Sequence, residues 1–292
     1  MSNANLNIKD FNKIFFPRDL PIVFSSPHSG NNYSKELLDM SPLILRELRR
    51  NEDMFIGDLF NFSDSLGVGL LKAEFPRVFL DLNRCRKDID IRMLKDNYLP
   101  FKPNNSKYSK FGFGLIPKIS SNGKKIYNKK LMWSVLEERI KKNYDPWHMT
   151  LLSLCSHLIK SNISSVLLDC HSMPSDAVKE LKKNTPDIII GDNFGKSCNL
   201  EIVNYFIDAL RDEGFVVDRN NIFSGGYITS HYGNLSSNLN VLQIEIRRDL
   251  YMNEDKLTKN NNYMRLKSSL EKATERLIQF LVAINSNTKA AE

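Results

Sequence analysis

The feature that most restricts this chain is the spacing of its apolar residues: short apolar runs separated by longer amphipathic stretches. Residues 21–25, 68–75, 77–82, 165–169, 187–190, 215–217 and 241–246 read as strands. Residues 37–62, 131–163, 200–213 and 254–284 carry helical periodicity, with an interruption near Pro146 and a stop at Gly214. Strands buried on both faces lose the apolar–polar alternation, and their regular exchange with helices predicts an α/β fold with a covered sheet. Residues 103–126 are rich in Lys, Asn, Ser and Gly and read as an irregular excursion. No internal repeat or linker stands out. One domain is therefore expected over residues 1–292, with its core at about 20–284 and a frayed tail after Asn285.

Composition narrows the setting. The chain has 292 residues, 41% of them hydrophobic, enough for a sizeable core. No apolar run approaches the roughly 18 residues of a membrane helix. The first 16 residues lack an apolar leader segment, so a cytoplasmic protein is expected. Cys85, Cys155, Cys170 and Cys198 form no CxxC pair, which suits free thiols in a reducing compartment. The formal charge of +7 is spread along the chain without a basic, aromatic-laced tract. Nucleic acid is thus not expected as a partner. A small anionic substrate fits the charge, as does a lysine-rich composition with no functional meaning.

Two histidines carry the chemistry. His28, in Ser26-Pro27-His28-Ser29-Gly30, directly follows the strand 21–25. His171, in Asp169-Cys170-His171-Ser172, directly follows 165–169. Open α/β sheets bind ligands at the carboxyl ends of their strands, and two matched histidines there point to a metal rather than to core packing. A catalytic divalent ion, zinc by preference for N and O donors, takes three protein ligands. The third should be a carboxylate. Asp53 is favoured over Glu52 and Asp58; for each, an acid at a solvated helix start is the ordinary alternative.

Hydrolysis also needs a base for the attacking water. Glu245 interrupts an apolar strand, and alternation puts it with Gln243 on the face opposite Leu242, Ile244 and Ile246. That face is either a site or exposed. Arg84 and Arg248 follow strand-like runs and suit a substrate carboxylate or a developing oxyanion. Arg77, in plainer surroundings, is a further candidate substrate contact. So is Tyr227 after Gly225-Gly226, in a substrate loop or a plain turn, and so is His148 at a helix restart. His157 reads as a core histidine.

Taken in order, Ser26-Pro27-His28-Ser29-Gly30, Glu52-Asp53, Pro76-Arg77, Asp81-Leu82-Asn83-Arg84, Tyr144-Asp145-Pro146-Trp147-His148, Asp169-Cys170-His171-Ser172, Gly225-Gly226-Tyr227 and Gln243-Ile244-Glu245 resemble the N-formylglutamate amidohydrolase family. The resemblance implies a fold related to zinc carboxypeptidases (phosphorylase/hydrolase-like): a mixed, mostly parallel sheet between helices. It implies zinc-dependent hydrolysis of N-formyl-L-glutamate to formate and L-glutamate, the end of histidine degradation. It also implies His28 and His171 as metal ligands, Glu245 as the base and Arg84 as a substrate or oxyanion contact. Ser34 and Arg247 depart from residues common in the family, and Arg247 adds a cation near the expected site. Asn31 stands three residues after His28, where the carboxypeptidases have a glutamate ligand, so the third ligand must come from elsewhere. Two alternatives remain: an amidase for other N-acyl amino acids or peptidoglycan-type substrates, and a non-catalytic binding protein on the same scaffold.

Overall fold

The structure, a computed structural model, describes residues 20–179, 185–233 and 238–289. The segment read above as lacking a leader lies outside these residues. Six strands form one sheet: β1 Ile22–Ser26, β2 Gly69–Lys72, β3 Ser165–Met173, β4 Ile188–Gly191, β5 Val217–Arg219 and β6 Leu239–Arg247, in the order β2-β1-β3-β6-β4-β5. Pairs β2-β1, β1-β3, β3-β6 and β4-β5 are parallel, and β6-β4 is antiparallel. The sheet is mixed and mostly parallel, as expected.

Helices cover both faces. The expected stretch 37–62 is broken into α1 Lys35–Asp39, α2 Leu45–Arg49, α3 Ile56–Leu59 and, just beyond it, α4 Ser63–Leu66. The excursion holds only α5 Lys107–Lys110. Then come α6 Trp133–Arg139, α7 Asp145–Ser161, α8 Leu200–Asp212, α9 Tyr227–Tyr232 and α10 Tyr263–Lys289. A wide π-turn at Ile140–Tyr144 joins α6 to α7, just before Pro146. Proline has no N–H for the helical ladder, which accounts for the interruption there. On one face Phe24, Leu168, Leu242 and Ile244 pack with Phe206 of α8 and Leu270 and Leu277 of α10. On the other, Val23, Leu167 and Val241 pack with Trp147, Leu151 and Leu154 of α7. Burying each such side chain contributes about 1.5–3 kcal/mol. Among the described residues no helix is long and apolar enough to cross a membrane.

Three expectations change. Residues 77–82 are not a strand but a series of turns: Phe79 N–H donates to Pro76 O and Asp81 N–H to Leu115 O. They pair with the excursion instead of the sheet. The C-terminal helix begins at Tyr263, not near 254, because a small hairpin, β7 Met252–Asn253 with β8 Thr258–Lys259, occupies the preceding residues. The helix also runs on to Lys289 rather than fraying after Asn285, which is buried and caps Ile163 and Ser164 N–H groups through its Oδ1.

The sheet face under α7 changes character along its strands. Register pairs Val23 with Leu167, and Leu167 with Val241, then Ser25 with Asp169, Asp169 with Gln243, and His171 with Glu245. Alternation keeps all of these on one face. It is apolar below and polar at the carboxyl end, where the candidate site sits.

Candidate active site and metal centre

His28 stands two residues past β1 in a loop pressed against the end of β2. A Cβ on Gly30 would lie 2.0 Å from Phe75 O, so only glycine allows this approach. His171 sits within β3, not beyond it, because β6 continues pairing up to Met173–Arg247. The carboxylate comes from 25 residues downstream of His28: Asp53 N–H donates to His28 O at 3.0 Å, fastening the two segments together. Asp53 Oδ2 then lies 3.3 Å from His28 Nδ1 and 2.8 Å from His171 Nδ1. All three residues are buried, and their ligand atoms lie within 4.8 Å of one another. Among the described residues this is the one cluster of three or more histidines, cysteines or acids close enough to hold an ion.

Each imidazole is backed by a second carboxylate. His28 Nε2 is 2.7 Å from Asp81 Oδ1, and His171 Nε2 is 2.9 Å from Asp169 Oδ2. Such contacts keep the proton on Nε2 and leave the Nδ1 lone pair for a cation. The donor set of two nitrogens and one oxygen fits a divalent ion of the zinc type. Burial works against the charge of Asp53, yet the His171 and His28 contacts hold its pKa well below the usual carboxylate range. Burial likewise opposes the charge on Asp81, but Arg77, His28 and Arg84 together outweigh it and hold its pKa well below the usual carboxylate range; Arg77 Nη2 lies 2.7 Å from Asp81 Oδ2.

The alternative acids lie elsewhere. Glu52 turns to Arg49 Nε at 3.1 Å, and Asp58 pairs with Lys72 Nζ at 3.4 Å. Glu245, beside His171 across the β3–β6 pairing, accepts from Gln243 Nε2 at 2.9 Å and faces a cavity of about 350 Å³. Burial pushes its pKa up to about 8.

The cavity gathers His28, Asp53, His171, Glu245, Arg77, Arg84 and Arg248. The arginines differ in what they hold. Arg248 donates to Asp53 Oδ1 at 3.2 Å, Ser172 Oγ at 3.0 Å and the backbone oxygens of Arg50 and Glu52. Arg84 rests on Phe113 O and Asn83 O. Tyr227 and His148 do not line this cavity, whereas Gly225 and Gly226 do. His148 is spent between Tyr232 Oη at 2.8 Å and Leu82 O at 3.1 Å, and burial lowers its pKa to about 3. Arg247 is tied to Asp187 and Asp249 and is also outside the lining.

Sequence reasoning missed the supporting residues Asp81, Asp169 and Asn83. Asn83 Nδ2 donates to Asp169 Oδ2 at 3.4 Å and lies 3.2 Å from His171 Nε2, while its Oδ1 accepts from Ile228 N–H at 2.8 Å. A signal for Asp169 existed: two residues from His171 on one strand, it must share its face.

A carboxylate-backed His–Asp–His cluster beside a buried glutamate, at the carboxyl edge of a mostly parallel sheet, defines a hydrolase-type site with donors for one metal ion. Residues 20–252 match the family N-formylglutamate amidohydrolase. The chain belongs to that family. It is similar to the N-formylglutamate deformylase of Pseudomonas aeruginosa, 28% identical over 240 residues, covering 80% of this chain and 83% of the relative. The same-named enzyme of Pseudomonas putida is 27% identical over 238 residues, with 80% and 83% covered. The crystal structure of N-formylglutamate amidohydrolase from Ralstonia eutropha JMP134 superposes with a TM-score of 0.86 at 30% identity, covering 94% of this chain and 99% of that one. An Agrobacterium tumefaciens gene product shares the fold, with a TM-score of 0.62 at 18% identity over 89% and 92% of the two chains.

Proposed function

We propose that this protein hydrolyses N-formyl-L-glutamate to formate and L-glutamate with one divalent metal ion, zinc by donor type. The observation that carries this is the convergence of His28 Nδ1, Asp53 Oδ2 and His171 Nδ1 beside Glu245. The relatives' names supply the substrate. An ion on those three atoms supplies Lewis-acid polarisation of the formyl carbonyl and makes water a better acid. Glu245 takes a proton from the attacking water, whose oxygen adds to the formyl carbon. Glu245 then hands the proton to the amide nitrogen as the C–N bond breaks. Its raised proton affinity suits both transfers. Asp81 and Asp169 hold the imidazoles in register, Arg248 holds Asp53, and Arg84 meets the substrate. The free cysteines suit a cytoplasmic setting, and the product suits the end of histidine degradation.

Glu245→Gln keeps the shape of the side chain and removes its basicity. Turnover of N-formyl-L-glutamate should fall at least ~100-fold while metal content stays at the wild-type level. Undiminished turnover would remove Glu245 from the reaction. A panel of N-formyl, N-acetyl and muropeptide substrates decides the acyl group; exclusive turnover of a muropeptide would overturn the substrate assignment.

A further inference from the structure

Five cations line the cavity, and three already serve carboxylates: Arg77 serves Asp81, Arg248 serves Asp53, and Arg50 lies 3.7 Å from Asp255. Arg84 and Lys107 have no acidic partner within ion-pair distance among the described residues. Both stand against one ring. The Arg84 guanidinium carbon lies 4.2 Å from the Tyr108 centroid, and Lys107 Nζ lies 5.3 Å from it. Arg84 is aimed by its bonds to Phe113 O at 2.7 Å and Asn83 O at 2.8 Å, while its Nη2 has no protein acceptor among the described residues. Asp81 feels the charge of Arg84 from beyond ion-pair distance. Two like charges sharing one ring repel each other, and a bound anion in direct contact relieves that cost.

We infer that Arg84 and Lys107 form the subsite for the side-chain γ-carboxylate of the substrate, and that α5 of the irregular excursion thereby sets specificity. The inference rests on the function proposed above. The direction follows from burial. The His–Asp–His cluster is buried, whereas Lys107 and Tyr108 are exposed at the cavity wall. With the formyl carbon at the cluster, the α-carboxylate stays close to the reacting bond. The γ-carboxylate, two carbons further out, reaches the rim. Ser106 caps the start of α5, accepting from Tyr108 and Ser109 N–H groups, and is itself held by Asp88, so the cation pair sits on a fastened segment.

The test compares Lys107→Gln and Lys107→Glu with wild type on N-formyl-L-glutamate, N-formyl-L-glutamine and the α-carboxamide N-formyl-L-isoglutamine. The γ-carboxylate preference, kcat/KM for the glutamate over the glutamine compound, should fall roughly 3-fold for Gln and about 10-fold for Glu, as KM for the glutamate compound rises. The preference over the α-carboxamide should move by less than twofold. A γ-preference that does not move overturns the inference, and loss of the α-preference instead overturns the choice of carboxylate. Should wild type hydrolyse none of the three, the functional reading falls by itself. Calorimetric binding then decides the subsite: equal wild-type affinity for the glutamate and glutamine compounds would overturn it.

Discussion

Gly226→Ala changes one hydrogen into a methyl group, and the structure says what that methyl meets. Its Cβ would stand 2.4 Å from Asn83 Nδ2, 2.5 Å from Oδ1 and 2.6 Å from Cγ. The backbone at φ −98° and ψ −156° suits alanine, so the conflict is purely a contact. Asn83 has little room to yield, because its amide joins Asp169, His171 and Ile228 N–H. Pushing it aside costs about 1 kcal/mol for the bond to Ile228 and roughly 2 kcal/mol for the bond to the Asp169 carboxylate. That total of about 3 kcal/mol also matches the upper range for overpacking a filled site. Urea denaturation should therefore show a loss of about 3 kcal/mol for Gly226→Ala. Asn83→Ala removes the same bonds and the group that is struck. The double variant should then cost at least ~1 kcal/mol less than the sum of the singles. Additivity within about 0.5 kcal/mol would refute the idea that the Gly225-Gly226 turn acts on the His171 support through Asn83.

Other outcomes test the remaining parts. Asp169→Asn should weaken zinc affinity about 10–100-fold in chelator competition, because His171 loses the carboxylate that orients it; unchanged affinity would reject that role. Arg248→Ala frees Asp53 from the arginine that holds it, so kcat should fall ~10-fold or more with KM for N-formyl-L-glutamate little altered; a rise in KM alone would make Arg248 a substrate clamp instead. Asp90 binds Arg92 and Lys118 and steadies the excursion; burial opposes its charge, but these bonds lower its pKa to about 2. A carboxylate with a folded pKa below its unfolded value stabilises above the unfolded value of about 4 and loses that contribution as pH falls towards the folded one. Asp90→Asn should thus cost up to ~1 kcal/mol at pH 7 in this partly exposed network, with the gap closing between about pH 4 and pH 2. A gap that persists in acid would assign the loss to packing.

The legible part of this protein lies where local order and apolar spacing suffice. Strands such as Ser165–Met173 and Leu239–Arg247 are buried along their length and read as apolar runs, and helix 200–212 reads from its amphipathic face. Residues 77–82 misread because apolar content alone does not tell a strand from a turn that packs under an excursion. No periodicity signals the partner strand that is missing there.

For the site, one-dimensional order already carried the chemistry at hand: His28 just past β1, His171 next to the apolar run of β3, and a glutamate on the inner face of an apolar strand. Alternation and strand-end position are local properties, so these residues can be read in one dimension. Tertiary structure decided the rest. Only the chain reversal that bonds Asp53 N–H to His28 O selects Asp53 over Glu52, one residue away. Only packing shows that Arg248 is spent on Asp53 while Arg84 keeps a free edge. Ligation and charge pairing fall off within a few ångströms, and residues 25 to 195 positions apart come that close only when the sheet brings their strand ends together.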